Sequence, residues 1–210
     1  MYNSLEVISV MFTKWRLGVI AVLLGLLVLS GCGGPSFKGK VQNPVKPAPE
    51  FTLTNQDGQP FHIADTRGKI ALLYFGYTYC PDICPTTLGD LKRVYNELGA
   101  DADRVEVIFA TVDPERDSAA RLKMYLSFFN TKFVGLTGTL DEMQKVYQDY
   151  NIVVQKTKAE GSAAGYLVSH TSSVFLIDQA GNLRLAYDHG VIPEDVISDV
   201  RTLIKQESAK

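Results

Sequence analysis

The sequence predicts an α/β fold organised around a parallel βαβ unit, and three observations carry that prediction. Residues Ile70 to Tyr77 form a continuous apolar run of strand length, the pattern of a strand buried on both faces. Leu88, Leu91, Val94, Tyr95 and Leu98 then recur at helical spacing and stop at Gly99. A second apolar strand, Val105 to Val112, follows. Strand, helix and strand at this spacing make a crossover whose two strands run parallel.

The remaining elements follow from the same rules. Phe51-Thr52-Leu53 and Phe61-His62-Ile63 flank an Asp57-Gly58 turn, so a short hairpin opens the domain. Ser118 to Phe129 repeats Leu122, Tyr125, Leu126 and Phe129 with a helical period. Thr139-Leu140-Asp141-Glu142 is a capping box for a helix reaching about Tyr150. Ile152 to Gln155 is expected to be extended. Thr171 to Ile177 and Leu183 to Tyr187 read as strands around a turn at residues 178–182, and Pro193 can occupy the first turn of a closing helix. Hairpin, βαβ, inserted helix and ββα is the order of a thioredoxin-like fold with an N-terminal β-hairpin and an insertion before the final hairpin. We place it over residues 49–210.

Composition limits the function. The 210 residues include 21 Lys and Arg against 23 Asp and Glu, with a pI near 5.9. No basic field exists to neutralise phosphates, so nucleic acid is not an expected partner.

The N-terminal region reads as an export signal. Leu17 to Leu29 is apolar apart from Gly18 and Gly25 and follows Lys14 and Arg16. The run is too short to cross a bilayer, which asks for about 20 apolar residues, but suits a secretory signal. Leu29-Ser30-Gly31-Cys32 resembles the lipobox of bacterial lipoproteins. That resemblance implies cleavage after residue 31 and lipid on the Cys32 thiol, which accounts for the odd member of three cysteines. Two or three acyl chains at about 0.8 kcal/mol per buried methylene would hold the protein at a membrane, on its extracytoplasmic face. Residues 32–48, rich in Gly and Pro, read as lipid anchor and flexible tether.

The other two cysteines stand in Cys80-Pro81-Asp82-Ile83-Cys84-Pro85, where the first long strand ends and its helix begins. Ligands and chemistry collect beyond the carboxyl ends of strands in open α/β sheets. Helix N-terminal amides favour a thiolate, and an i, i+4 spacing brings both sulfurs to one side. The pair is compatible with a structural disulfide, with disulfide exchange, and with chelation of a soft metal. A structural bridge here would close almost no loop and so gain little.

Four ordered segments resemble the SCO (SenC-like) family of copper-binding cytochrome c oxidase assembly proteins. They are Gly76-Tyr77-Thr78-Tyr79-Cys80-Pro81-Asp82-Ile83-Cys84-Pro85, Val112-Asp113-Pro114-Glu115-Arg116-Asp117, Gly135-Leu136-Thr137-Gly138-Thr139, and Tyr166, Val168, His170 and Thr171. The resemblance implies one copper, Cu(I) or Cu(II), held by Cys80, Cys84 and His170, the histidine lying in the loop before a late strand. It implies delivery to the dinuclear copper centre of cytochrome c oxidase subunit II, and either an upstream copper donor or a thioredoxin-like reductant as a further partner. The rival role is a thiol–disulfide reductase, with Cys80 and Cys84 as its redox pair, that keeps the acceptor's cysteines reduced.

The donor set suits copper. Two thiolates and a neutral imidazole sum to zero around Cu(II) and to −1 around Cu(I), whereas a closed structural zinc site wants a fourth protein ligand. Redox thioredoxins place a cis-proline before the strand facing their disulfide. This chain has no proline between Pro114 and Pro193, and His170 stands near that place. His62 and His189 are expected to lie away from Cys80. Asp113 to Asp117 reads as a helix-start turn whose carboxylates cap free backbone donors. Asp82 is a loop carboxylate, and Tyr79 is a shield for the sulfurs.

Overall fold

The computed structural model describes residues 36–158 and 165–208, and within them the chain is a mixed α/β structure. The strands are β1 (Lys40–Pro47), β2 (Thr52–Asn55), β3 (Pro60–His62), β4 (Ile70–Gly76), β5 (Val105–Thr111), β6 (Val134–Thr137), β7 (Val154–Lys158), β8 (Tyr166–His170), β9 (Val174–Ile177) and β10 (Asn182–Tyr187). The helices are α1 (Ile83–Leu98), α2 (Ala119–Ser127), α3 (Leu140–Asp149) and α4 (Pro193–Ser208). The main sheet has eight strands in the order β1-β10-β9-β4-β5-β6-β2-β3, while β7 and β8 form a separate two-stranded sheet.

The βαβ unit is present as expected. β4 pairs in parallel with β5 from Ile70↔Val105 to Gly76↔Thr111, and antiparallel with β9 on its other side. Every residue of β4 is buried, which is why its sequence shows no alternation. α1 packs against α4, and α2 against β6. Ser118 caps α2 by accepting from the Arg121 amide, and the Thr139–Glu142 capping box starts α3.

Four features differ from the sequence reading. Lys40–Pro47, expected within the tether, is an edge strand that pairs with β10. Pro44 and Pro47 are tolerated there because an edge strand leaves one row of backbone groups unpaired, and a register shift falls between Val41 and Lys46. The segment before it is also fixed. The buried Asp199 carboxylate accepts from the Lys38 amide at 2.9 Å, the Gly39 amide at 2.8 Å and the Tyr187 hydroxyl at 2.9 Å. β6 was absent from the sequence reading, yet it continues the sheet and takes the opening hairpin through Thr54↔Thr137. Finally, the strand expected over Thr171–Ile177 begins only at Val174, and His170 instead ends β8. The export signal and Cys32 lie outside the described residues. Among the described residues no helix is long and apolar enough to cross a membrane.

Candidate metal centre

The site begins where β4 ends. Gly76 is the last residue of that strand, and a Cβ there would lie 2.6 Å from the Phe109 ring and 3.0 Å from Cys84 Sγ. The backbone must pass this close for Cys84 to be buried beneath the loop. α1 starts at Ile83, with the Asp82 carbonyl accepting from the Thr86 amide and hydroxyl. Pro85 falls within the first turn, where a missing N–H costs nothing. Early amides of α1 are therefore free, and that of Cys84 donates to Cys80 Sγ at 3.4 Å.

This geometry divides the two thiols. Both are free: Cys80 is half-buried and Cys84 fully buried. The Cys84 thiol donates to Cys80, and the amides of Asp82, Cys84 and Ile83 add to it, so that Cys80 is lowered to about 5 against its burial. Cys84 moves the opposite way, held protonated by that same bond and by burial. The free protein at neutral pH thus carries one thiolate and one thiol. The Tyr74 hydroxyl is buried beside Cys84 and Thr87. Desolvation keeps it protonated, so a donor stands beside that sulfur.

The histidine arrives from the β7–β8 hairpin. His170 Nε2 lies 3.7 Å from Cys84 Sγ, and Nδ1 is 2.9 Å from the Thr171 carbonyl. A carbonyl only accepts, so Nδ1 carries the proton and Nε2 presents its lone pair to the sulfur. Burial lowers the His170 pKa and favours the neutral ring. The ring packs edge-on against Tyr77, with centroids 6.0 Å apart. A 3.7 Å separation suits a sulfur and a nitrogen bound to one ion at about 2.3 and about 2.0 Å. Among the described residues no three His, Cys, Asp or Glu side chains are already set around a metal position, so loading requires a side-chain adjustment.

Cys84 thus stands next to both Cys80 and His170. The other two histidines lie elsewhere: His62 bonds Thr52 Oγ1 at 2.7 Å in the opening hairpin, and His189 follows β10 near Lys38 and Lys40. Tyr79, expected to shield the sulfurs, faces two cations. Its exposed ring takes the guanidinium groups of Arg116 at 4.7 Å and Arg121 at 4.6 Å.

Asp113 and Asp117 correct the sequence reading most clearly. Neither carboxylate caps α2, which Ser118 does. Both are fully buried. Asp117 accepts from the Thr78 amide at 2.9 Å, the Thr78 hydroxyl at 2.6 Å and the Thr111 hydroxyl at 2.7 Å. Asp113 accepts from the Tyr166 hydroxyl at 2.7 Å and from Arg116. Carboxylates at helix-start spacing look alike in sequence whether they cap or turn inward. The signal available was their place directly after a buried strand adjacent to the cysteine loop.

Comparison with known proteins bears on this arrangement. Residues 40–205 match the SCO1/SenC family. The chain belongs to that family. An SCO2-like protein of Rickettsia conorii is 30% identical over 202 residues, covering 90% of this chain and 98% of that protein. The solved structure of Bradyrhizobium japonicum ScoI with copper bound is 36% identical with a TM-score of 0.68, covering 75% of this chain and 99% of that one. BsSco, described through a disulfide switch and as a member of the Sco family of cytochrome c oxidase assembly proteins, is 27% identical with a TM-score of 0.63, over 78% of this chain and 97% of that one. These SCO1/SenC relatives share the thioredoxin-like architecture described above.

Proposed function

We propose that this protein is a copper metallochaperone. It binds one copper through Cys80, Cys84 and His170 and delivers it to the dinuclear copper centre of cytochrome c oxidase subunit II. The observation that carries the reading is the approach of His170 Nε2 to Cys84 Sγ, with the ring fixed in the tautomer that ligation needs. Two sulfurs and one imidazole nitrogen form a soft set that selects copper over hard cations. The site is open on the Cys80 side, which is half-buried, so an acceptor can reach it. Transfer proceeds by ligand exchange, in which incoming acceptor thiolates replace Cys80, Cys84 and His170 one at a time.

The protein works from the extracytoplasmic face of a bacterial membrane, held by lipid on Cys32. This part of the reading rests on the lipobox-like residues 29–32.

A second reading is favoured by one specific feature. Cys80 is a thiolate beside a protonated Cys84, the arrangement a dithiol reductant uses to attack a disulfide. His170→Ala separates the two roles. A chaperone loses copper binding and fails to support oxidase assembly, whereas a reductase continues to support assembly because the dithiol is intact.

A further inference from the structure

The β7–β8 hairpin that carries His170 is not part of the main sheet. β9 follows His170 closely and ties that end to β4 through Tyr74↔Val174, while the rest of the hairpin is held by side-chain attachments. Tyr166, at the opposite end of β8 and four residues from His170, makes the densest group of them. Its hydroxyl donates to Asp113 at 2.7 Å, its carbonyl accepts from Arg116 Nη1 at 3.1 Å, and its ring lies 3.6 Å from the Arg116 guanidinium carbon. The Val168 amide, between them, donates to the Tyr77 hydroxyl at 3.3 Å. Lys156 on β7 pairs with Glu115 at 2.6 Å. Asp117, four residues beyond Asp113, holds Thr78, two residues before Cys80.

We propose that Tyr166 is a positioning residue for His170, and that Asp113 and Asp117 form one buried hub that fixes the histidine hairpin relative to the cysteine loop. The hub joins the two halves of the donor set, which are far apart in sequence. Asp113 holds the half bearing the nitrogen, and Asp117 the half bearing the sulfurs. A rigid tie of this kind keeps Nε2 near Cys84 before the ion arrives, so less ordering is required on binding. The inference rests on the copper reading.

A double-mutant cycle on the full reduced protein tests it, with Cu(I) affinity measured by competition against a chromophoric chelator. Tyr166→Phe keeps the ring on Arg116 and removes the bond to Asp113, together with a 3.5 Å contact of the same hydroxyl with Glu115. It should weaken Cu(I) about tenfold, the scale of one hydrogen bond to a charged group. In the His170→Ala background the same change should cost less than about twofold, because no imidazole remains to be placed. Asp113→Asn should repeat the pattern. Tyr150→Phe, which removes a hydroxyl bonded to the Pro49 carbonyl at 3.0 Å, is the control for lost stability and should leave affinity unchanged. An equal loss with and without His170, or no loss in either, overturns the positioning role. Failure of the unmodified protein to bind Cu(I), or undiminished binding by His170→Ala, overturns the copper reading and this proposal with it.

Discussion

His170 Nε2 and Cys84 Sγ, 86 positions apart in the chain, lie 3.7 Å from each other at the carboxyl end of the central strand. Neither residue owes its place to the other. Cys84 is buried in the first turn of α1 under Gly76, and His170 is carried in on a separate hairpin whose Nδ1 is satisfied by its own neighbour's carbonyl. Two independently built elements therefore converge to leave a lone pair facing a sulfur.

The division of the thiols gives a reactivity prediction. Cys80, lowered to about 5, is a thiolate across neutral pH, while Cys84 keeps its proton. Alkylation by iodoacetamide, followed by peptide mass mapping, should modify Cys80 at a rate nearly flat from pH 6.5 to 8, and Cys84 far more slowly. Equal rates for both, rising through pH 8.5 as for free thiols, would contradict the assignment.

Metal binding should be linked to a proton. Near pH 7 Cys80 is ionised and His170, lowered by burial, is neutral, so only Cys84 has a proton to lose. Copper loading in weak buffer should release about one proton per ion. As pH falls through the lowered Cys80 value, protons compete for the sulfur and affinity drops. A pH-stat titration that finds no release, or two protons per ion, excludes this pattern of charges.

Gly76→Ala should damage the site specifically. The new methyl would meet the Phe109 ring and Cys84 Sγ, at a cost of about 1–3 kcal/mol for overpacking. Gly135→Ala is the comparison, since its Cβ meets Leu126 and Leu122. Both variants should lower the urea midpoint, but only Gly76→Ala should also weaken copper binding. Equal copper affinity in the two would show that the approach of β4 to Cys84 does not set the sulfur's place.

Asp199→Ala should cost about 2–3 kcal/mol by leaving buried donors unsatisfied. The donors are the Lys38 and Gly39 amides and the Tyr187 hydroxyl. Copper affinity should not change. An unaltered denaturation midpoint would show that the N-terminal segment is not fastened to α4.

Much of this architecture was legible because its signals are local. The apolar run of β4, the period of α1 and the cysteines at their junction follow from burial on both faces and from turn chemistry. β1 was not legible, since Pro44, Pro47 and a mostly exposed edge give it the composition of a tether. β8 was missed for a related reason. It belongs to a two-stranded hairpin whose outer face, with Gln155 and Ser169 opposite each other, is exposed, and no long apolar run marks it. The roles of Asp113 and Asp117 depend on which way two carboxylates turn, which only the packing of Thr78 and Tyr166 decides. His170 was identified through family resemblance. A lone histidine in sequence carries no such signal by itself.

The central claim is that one copper takes two sulfurs and one imidazole nitrogen from this chain. X-ray absorption at the copper edge of the reduced protein, loaded to one equivalent, measures this most directly. The account predicts two sulfur scatterers and one imidazole in the unmodified protein, with the imidazole lost in His170→Ala. A sulfur-only shell, unchanged by that substitution, would contradict it.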